Sequence, residues 1–339
     1  MRSAIVGCGN ISRFHIHAIN TSPLAYLAAV CDSNEQLAAD KARELGVKSY
    51  SDLDEMLNNE DLDVLHVLVP PQLHREVAVK ALSKGIHVLV EKPMAISVKD
   101  ADAMIAAAEE NNVKLGVNHN MLFEPTYIKA RDLVNSYEFG ELLHADAFMA
   151  FDVRRTLGGN SLDSVWQSKI KGHFLQDLLP HPASVVVDLL RGYNKAHVVY
   201  RKNDQDRLQD EVRLMIEGNT ATATIALSLS THPDVFTLNL YGTKMILKVD
   251  FANMSVVKQK TYKVPKKLMR GVDSMSQSVQ IMGNTIGTIL GLVLKRISEA
   301  GGMAGQIHAF YESLDKDWPL PVSGADAKAV VELSDKIWK

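Results

Sequence analysis

Cysteine is almost missing from this chain of 339 residues: only Cys8 and Cys31 occur. Neither has the close neighbours that a disulfide framework or a thiolate metal site needs. Both sit at the ends of adjacent expected strands and are read as buried, reduced thiols. A surplus of one charge sign is missing too. The formal net charge is -3, so the basic footprint of a nucleic-acid binder is absent and no nucleic-acid partner is expected. No apolar run is long enough to cross a bilayer. The best candidate, Thr285 to Ile297, follows Asn284 and holds two threonines, Lys295 and Arg296, which leave too short an apolar run, so no membrane-spanning helix is expected. The first strand begins beside Met1 and leaves no room for a cleaved leader, which makes a cytoplasmic address the default expectation. Internal repeats and low-complexity linkers are also absent.

What is present begins with Ala4-Ile5-Val6-Gly7-Cys8-Gly9-Asn10-Ile11-Ser12. A short apolar run meets two glycines and then a helical segment from Phe14 to Ile19. A second strand, Ala25 to Cys31, ends at Asp32. Strand, tight turn, helix and strand with an acid at the end is the arrangement that holds a dinucleotide. Gly7 permits the turn, Gly9 lets the backbone approach a pyrophosphate, and the amides around Asn10 and Ile11 open the helix toward the charge. Asp32 lies about 20 residues after the turn, where its carboxylate can accept from ribose hydroxyls. The third glycine of this fingerprint is replaced by Ser12. A carboxylate at Asp32 repels a 2'-phosphate and Ser33 supplies no cation, so NAD is expected in preference to NADP.

The alternation continues. Helix Glu35 to Leu45, a short strand at Ser49-Tyr50 and a helix from Asp52 lead to the apolar run Val64 to Val69, which suits a strand buried on both faces of a parallel sheet. Pro70-Pro71 ends it. A helix from His74, strand Ile86 to Val90, helix Val98 to Asn111 and strand Lys114 to Asn118 complete a doubly wound α/β sheet. Its ligands are expected outside the carboxyl ends of the strands. His87, inside a strand, is read as a satisfied sheet residue. After about Phe123 the pattern changes to one helix, Thr126 to Val134, then strand-like alternation at Leu143 to Val153. Five more strand candidates follow, His197 to Tyr200, Val212 to Ile216, Ala221 to Leu229, Val235 to Tyr241 and Met245 to Val249, separated by turn residues. The expectation is a Rossmann domain over 1–120 and an α+β domain with an open antiparallel or mixed sheet over 121–339, its C-terminal helix free to pack back on the first.

Four segments, taken in order, resemble the glucose-fructose oxidoreductase, inositol dehydrogenase and rhizopine-catabolism oxidoreductase family. They are the N-terminal fingerprint, Val69-Pro70-Pro71-Gln72-Leu73-His74, Glu91-Lys92-Pro93, and Asp177-Leu178-Leu179-Pro180-His181. The resemblance covers nearly the whole chain. It implies a nicotinamide-binding Rossmann domain, an open-faced sheet that mediates homo-oligomers (dimer or tetramer), and hydride transfer at a sugar or cyclitol carbon. It also implies cofactor contacts from Pro70, His74, Glu91 and Lys92, and substrate contacts from Lys92, Asn120, His173, Asp177 and His181. Two departures stand out. Three glycines usually precede the Asp and His segment, whereas here the run is Lys171-Gly172-His173, and the arginine of the Asn, Arg, Phe, Pro segment is Leu122. Asn118-His119-Asn120 and Pro319-Leu320-Pro321 look like family members linked to polysaccharide synthesis, which points to a nucleotide sugar or sugar derivative. Alternatives are a cyclitol dehydrogenase and a non-catalytic, NAD-binding regulatory protein of the same fold.

Oxidising a secondary alcohol needs a group that takes the hydroxyl proton as hydride leaves. His181 has a suitable ordinary pKa, Asp177 can favour its charged form, and Lys92 can polarise the oxygen. In the resembled family the lysine and histidine have these roles. His173, Asp177 and His181 are four apart, but Pro180 and Pro182 argue against one unbroken helix, and no metal is expected. Finally, Ile286, Ile289, Leu290, Val293, Leu294 and Ile297 form an apolar stripe beside Gly283, Gly287 and Gly291. Glycine at every fourth position costs a helix roughly 1 kcal/mol each, which close approach of another backbone would compensate. A core helix, an oligomer contact, a cleft wall and, with the basic segment Lys258 to Arg270, a membrane-surface helix are the readings left open.

Overall fold

The computed structural model describes residues 1–158, 165–202, 209–294 and 301–338. Contacts divide the chain into two units. The first contains Met1–Asn120 and Gly302–Ile337, and the second contains Met121–Gly301 with Trp338. Residues Gly302–Ile337, read from sequence largely with the second domain, are therefore part of the first unit.

In the first unit, strands β1 (Arg2–Val6), β2 (Tyr26–Cys31), β3 (Lys48–Tyr50), β4 (Val64–Val67), β5 (His87–Glu91) and β6 (Leu115–Asn118) form a sheet in the order β3-β2-β1-β4-β5-β6. All its pairings are parallel. The chain runs outward from β1 to β3 and then returns to place β4 on the other side of β1, with Val6 opposite Val67. This reversal parts the loops after β1 and β4 and leaves a crevice at the carboxyl ends of the strands. Helices α1 (Ser12–Thr21), α2 (Glu35–Leu45), α3 (Leu53–Asn59), α4 (Pro71–Leu82) and α5 (Val98–Glu110) make the crossovers. Strands β4 and β5 are buried almost throughout, as continuous apolar runs require. Asn34, Asp52 and Ser97 cap their helices through side-chain acceptors, which explains sharp starts where the sequence offers Asx or Ser before an amphipathic run.

The second unit opens with α6 (Pro125–Val134) and β7 (Leu142–Asp152), followed by α7 (Val153–Leu157), α8 (His173–Leu178) and α9 (Pro180–Leu190). Strands β8 (Lys195–Lys202), β9 (Gln209–Glu217), β10 (Thr222–Ser228), β11 (Ser230–Gly242), β12 (Met245–Asp250) and β13 (Ser255–Lys260) join β7 in the order β13-β12-β11-β7-β10-β9-β8. The sheet is mixed because β7 and β10 are parallel; its other pairings are antiparallel. Strand β13 was hidden in the sequence within a basic segment, since only Val256 and Val257 of it are buried apolar residues. A long helix, α10 (Lys266–Val293), follows it, and no residue of that helix is buried. The core-helix reading of this stretch is thus corrected; Ile297, Lys295 and Arg296 lie outside the described residues. No helix among the described residues is long and apolar enough to cross a membrane. Helices α11 (Gly301–Asp315) and α12 (Gly324–Ile337) close the chain, and Ile307, Phe310 and Tyr311 of α11 join the core of the first unit beside Ile5, Val30, Val64 and Leu89.

Candidate active site

The turn after β1 is built around Gly7. Its φ is +98°, and a Cβ there would lie 2.7 Å from the Leu68 carbonyl carbon and oxygen, so the turn admits no side chain. The Gly7 amide donates to Cys31 O at 2.8 Å and the Cys8 amide to Asp32 Oδ2 at 2.7 Å. Asp32 Oδ1 accepts from the Asn34 amide at 2.9 Å. The acid therefore braces the glycine turn as well as ending β2. Ser12, in the third-glycine position, is buried and folds its hydroxyl onto Gly9 O at 2.7 Å. Burial pushes the thiols of Cys8 and Cys31 up to about 11 and about 12, so neither is a nucleophile near neutral pH.

A dinucleotide fits these residues on two grounds. A Cβ at Gly9 would meet no atom within 4 Å, so the backbone there borders open space that a pyrophosphate can approach. Helix α1 begins at Ile11 with no side-chain cap and no acid in its first turn, which leaves its positive end to an anion. Gln72, near the start of α4, has both side-chain amide atoms buried without a partner among the described residues, as does Asn118 Oδ1 at the end of β6. Unpaired buried polar atoms at the strand ends suit a polar ligand. Pro70 is exposed and caps α4.

The end of β5 is held by a buried polar chain. Glu91 Oε1 meets His15 Nε2 at 2.9 Å and accepts from Asn118 Nδ2, while Oε2 accepts the Lys92 amide at 3.1 Å. His15 Nδ1 lies 2.8 Å from His66 Nδ1, and His66 Nε2 lies 2.7 Å from the Tyr311 hydroxyl, itself 2.7 Å from Ser3 Oγ. Burial works against ionisation of Glu91, but hydrogen bonds from His15 and Asn118 and the nearby Lys92 charge hold its pKa below the usual carboxylate value. Burial pushes His66 well down, and neighbouring His15 adds to the effect. Glu91 turns its carboxylate inward, fixing the strand end from which Lys92 projects. His74 also turns inward. Its ring is buried with Nε2 2.7 Å from Val69 O and Nδ1 3.0 Å from Pro93 O, so it ties the β4 and β5 loops together. Burial lowers its pKa against the pull of those carbonyls. The Lys92-Pro93 peptide is cis. His119, buried next to this end, is pushed down to about 4 by burial. His66 lies inside an apolar strand run, and a histidine there signals a buried partner; the identity of that partner, 245 positions away, had no local trace.

In the second unit, α8 and α9 meet at Leu179, whose φ of -49° and ψ of -38° are helical. The expectation that the prolines turn the chain out of helical angles is corrected. Pro180 occupies the first position of α9, where a missing N–H is tolerated and the fixed φ already matches a helix. Asp177 and His181 thus follow one helical path four positions apart, with His173 at its left-handed start, and Asp177 Oδ2 accepts from Gln167 Nε2 at 3.2 Å. No cluster of His, Cys, Asp or Glu among the described residues has the geometry of a metal site. Gly172 is required, because a Cβ there would sit 2.3 Å from the Trp338 ring. His173 adopts a left-handed φ of +47°. Asn120 begins a single 3-10 turn, Asn120–Phe123, after β6.

Comparison with known proteins agrees with this geometry. Residues 1–119 match a model described as "Oxidoreductase family, NAD-binding Rossmann fold", and residues 127–248 match the "GFO/IDH/MocA C-terminal domain". The first unit is accordingly an NAD-binding Rossmann domain. The chain is 34% identical over 119 residues to UDP-N-acetylglucosamine 3-dehydrogenase of Acidithiobacillus ferrooxidans, covering 35% of this chain and 37% of that protein. It is 29% identical over 150 residues to scyllo-inositol 2-dehydrogenase (NAD(+)) of Bacillus subtilis, covering 44% of each. The chain thus spans less than half the length of either relative. The WlbA dehydrogenase of Bordetella pertussis, solved with NADH and UDP-GlcNAcA, shares the fold with a TM-score of 0.76 at 20% identity, covering 99% of this chain and 96% of that one.

Proposed function

This chain belongs to the GFO/IDH/MocA oxidoreductase family, and from that premise we propose that it is an NAD-dependent dehydrogenase acting on a secondary alcohol of a sugar, most specifically a nucleotide sugar or sugar derivative. The observation that carries the reading is the end of β5. Glu91, locked by His15 and Asn118, holds the Lys92 amide and so fixes Lys92 at the same edge of the sheet as the Gly7 to Gly9 turn. The named activities of the relatives, at a carbon of a UDP-sugar and of an inositol, support the substrate class.

Bound NAD supplies the hydride acceptor. Gly9 and the start of α1 receive its pyrophosphate, and Asp32 accepts from the ribose hydroxyls while keeping its bond to the Cys8 amide. Lys92 polarises the reacting oxygen. His181 takes the hydroxyl proton, and Asp177 favours the charged form of its imidazole. His173 and Asn120 supply further polar contacts to substrate. The reading includes a cytoplasmic homo-oligomer.

A panel of UDP-sugars, free sugars and inositols with NAD, followed by absorbance of the reduced nicotinamide, tests the class directly. Lack of turnover with every member would sink the enzyme reading, and NAD binding without turnover would favour a nicotinamide-sensing regulator. Lys92→Met and His181→Asn are each expected to lower the turnover rate constant roughly a hundredfold or more, with NAD affinity within a few fold. Asp177→Asn is expected to be milder and to shift the pH profile. If His181→Asn lowers thermal stability and leaves turnover per folded molecule unchanged, His181 is structural and the proton acceptor moves to Lys92.

A further inference from the structure

Helix α10 lies on the sheet of the second unit with its polar side inward. Asp273 Oδ2 accepts from Gln259 Nε2 at 2.9 Å, and Asn284 Nδ2 donates to Val256 O at 3.1 Å. Gln280 bonds to both backbone groups of Lys258, accepting from its amide at 2.8 Å and donating to its carbonyl at 2.9 Å. These side chains satisfy the open edge of β13, the outermost strand of its sheet. Amphipathic helices ordinarily bury the opposite side. Here the apolar side points away from the protein.

That apolar side has a definite period. Val272, Val279, Ile286 and Val293 fall at one position of a seven-residue repeat, and Leu268, Met275, Met282 and Ile289 fall at the position four residues before each of them. The resulting spacing, alternating four and three across four repeats, is the seam of a coiled coil. The first set is entirely β-branched, and the second holds leucine, methionine and one isoleucine, an occupancy that favours two parallel strands. Seven of the eight are 51% to 72% exposed, far more apolar surface than a helix leaves to water without a partner. The positions flanking the seam are Gly271, Ser278, Thr285 and Leu292 on one side and Met269, Ser276, Gly283 and Leu290 on the other. No charge sits there to repel an identical helix, and a Cβ at Gly271 or Gly283 would meet nothing within 4 Å. Lys266, Lys267 and Arg270 fall off the seam.

We propose that α10 is a dimerisation helix, its heptad face pairing in parallel with α10 of a second copy of this chain. At 28 residues the helix is about 42 Å long, enough for four layers of contacts from each positional set. A lipid surface fits less well, because Gly271 to Leu294 carries no Lys or Arg to hold anionic headgroups and Ser276, Ser278 and Thr285 border the stripe. The proposal deepens the homo-oligomer reading by adding a surface distinct from the open-faced sheet, and it rests on no part of the catalytic reading.

The full chain is to be sized by chromatography with light scattering, alongside a Val279→Glu, Ile286→Glu double variant. Both positions are exposed, so the fold is expected to persist, as unchanged melting and NAD binding would verify. The expected result is a halving of the mass. Ile286→Cys is expected to form a disulfide between copies on mild oxidation, since a parallel seam sets this residue against itself, while Cys8 and Cys31 are buried; Ser274→Cys, off the seam, is expected not to. A monomeric original chain would overturn both the oligomer reading and the seam. An oligomer whose mass the double variant leaves unchanged would overturn the seam alone. Sedimentation of the original chain with phosphatidylcholine and phosphatidylglycerol vesicles, lost in the double variant and without the disulfide, would replace the second copy with a lipid surface.

Discussion

Asp32 serves two demands with one carboxylate. Its acceptance from the Cys8 amide ties the glycine turn to the end of β2, and in the proposed function the same group chooses between cofactors. Asp32→Ala is expected to lower stability by about 1 to 3 kcal/mol, the cost of leaving that amide unpaired. It is also expected to weaken NAD binding tenfold or more, about 1.4 kcal/mol. Adding Ser33→Arg is expected to reverse the preference toward NADP, with calorimetry on both nucleotides as the measurement; an original chain that prefers NADP tenfold would show that Asp32 does not face the ribose. His119 makes a different prediction. Folded, it takes up a proton only near pH 4, whereas the unfolded chain does so near pH 6.5, so the unfolded state binds more protons in between. Its folded pKa is depressed, and the stability is therefore complete above about pH 6.5 and lost as pH falls toward 4, by up to about 3 kcal/mol. His66 and His74 act in the same direction. Melting temperatures from pH 7 to 4.5 measure it, and His119→Asn is expected to flatten the curve.

The turn from β1 to α1 separates two glycines that the sequence presents as a pair. Gly7→Ala is expected to cost about 2 kcal/mol or more, since a left-handed φ and a carbonyl 2.7 Å from the new Cβ both resist it. Gly9→Ala meets open space and is expected to change stability by less than about 0.5 kcal/mol while weakening NAD binding at least tenfold. Denaturant melts with binding titrations separate the two, and equal loss of stability would contradict the assignment of Gly9 to the cofactor. Elements were legible wherever a period repeated over two or more turns: α2 begins and ends at Glu35 and Leu45 as read. They were misread where local chemistry has two outcomes. Pro180 was taken as a breaker, yet proline at a first helical position preserves the path. Strand β13 was obscured because its second half, Lys258 to Lys260, is polar, half-buried and part of a basic segment, leaving no apolar alternation to read.

Across the whole chain, the first unit closes only when residues from both ends meet. The Tyr311 hydroxyl joins Ser3, 308 positions away, to His66 in a fully buried triad. Tyr311→Phe is expected to lower stability by about 1 to 3 kcal/mol by leaving two buried polar groups short of a partner. A change below 0.3 kcal/mol in urea melts would show that the network reorganises. The candidates Lys92, Asp177 and His181 came from resemblance to a family; by itself, the sequence determined the doubly wound order and the dinucleotide turn with Asp32. Those depend on periods and spacings within some 30 residues, where hydrophobic patterning and turn chemistry act locally. The tertiary structure decided that Glu91 and His74 face inward and that β7 pairs in parallel with β10. It also decided that the C-terminal helices complete the first unit and that the apolar face of α10 is exposed on the single chain. Each of these depends on which distant surface fills a given place, because burial and hydrogen-bond pairing are settled between segments far apart in the chain.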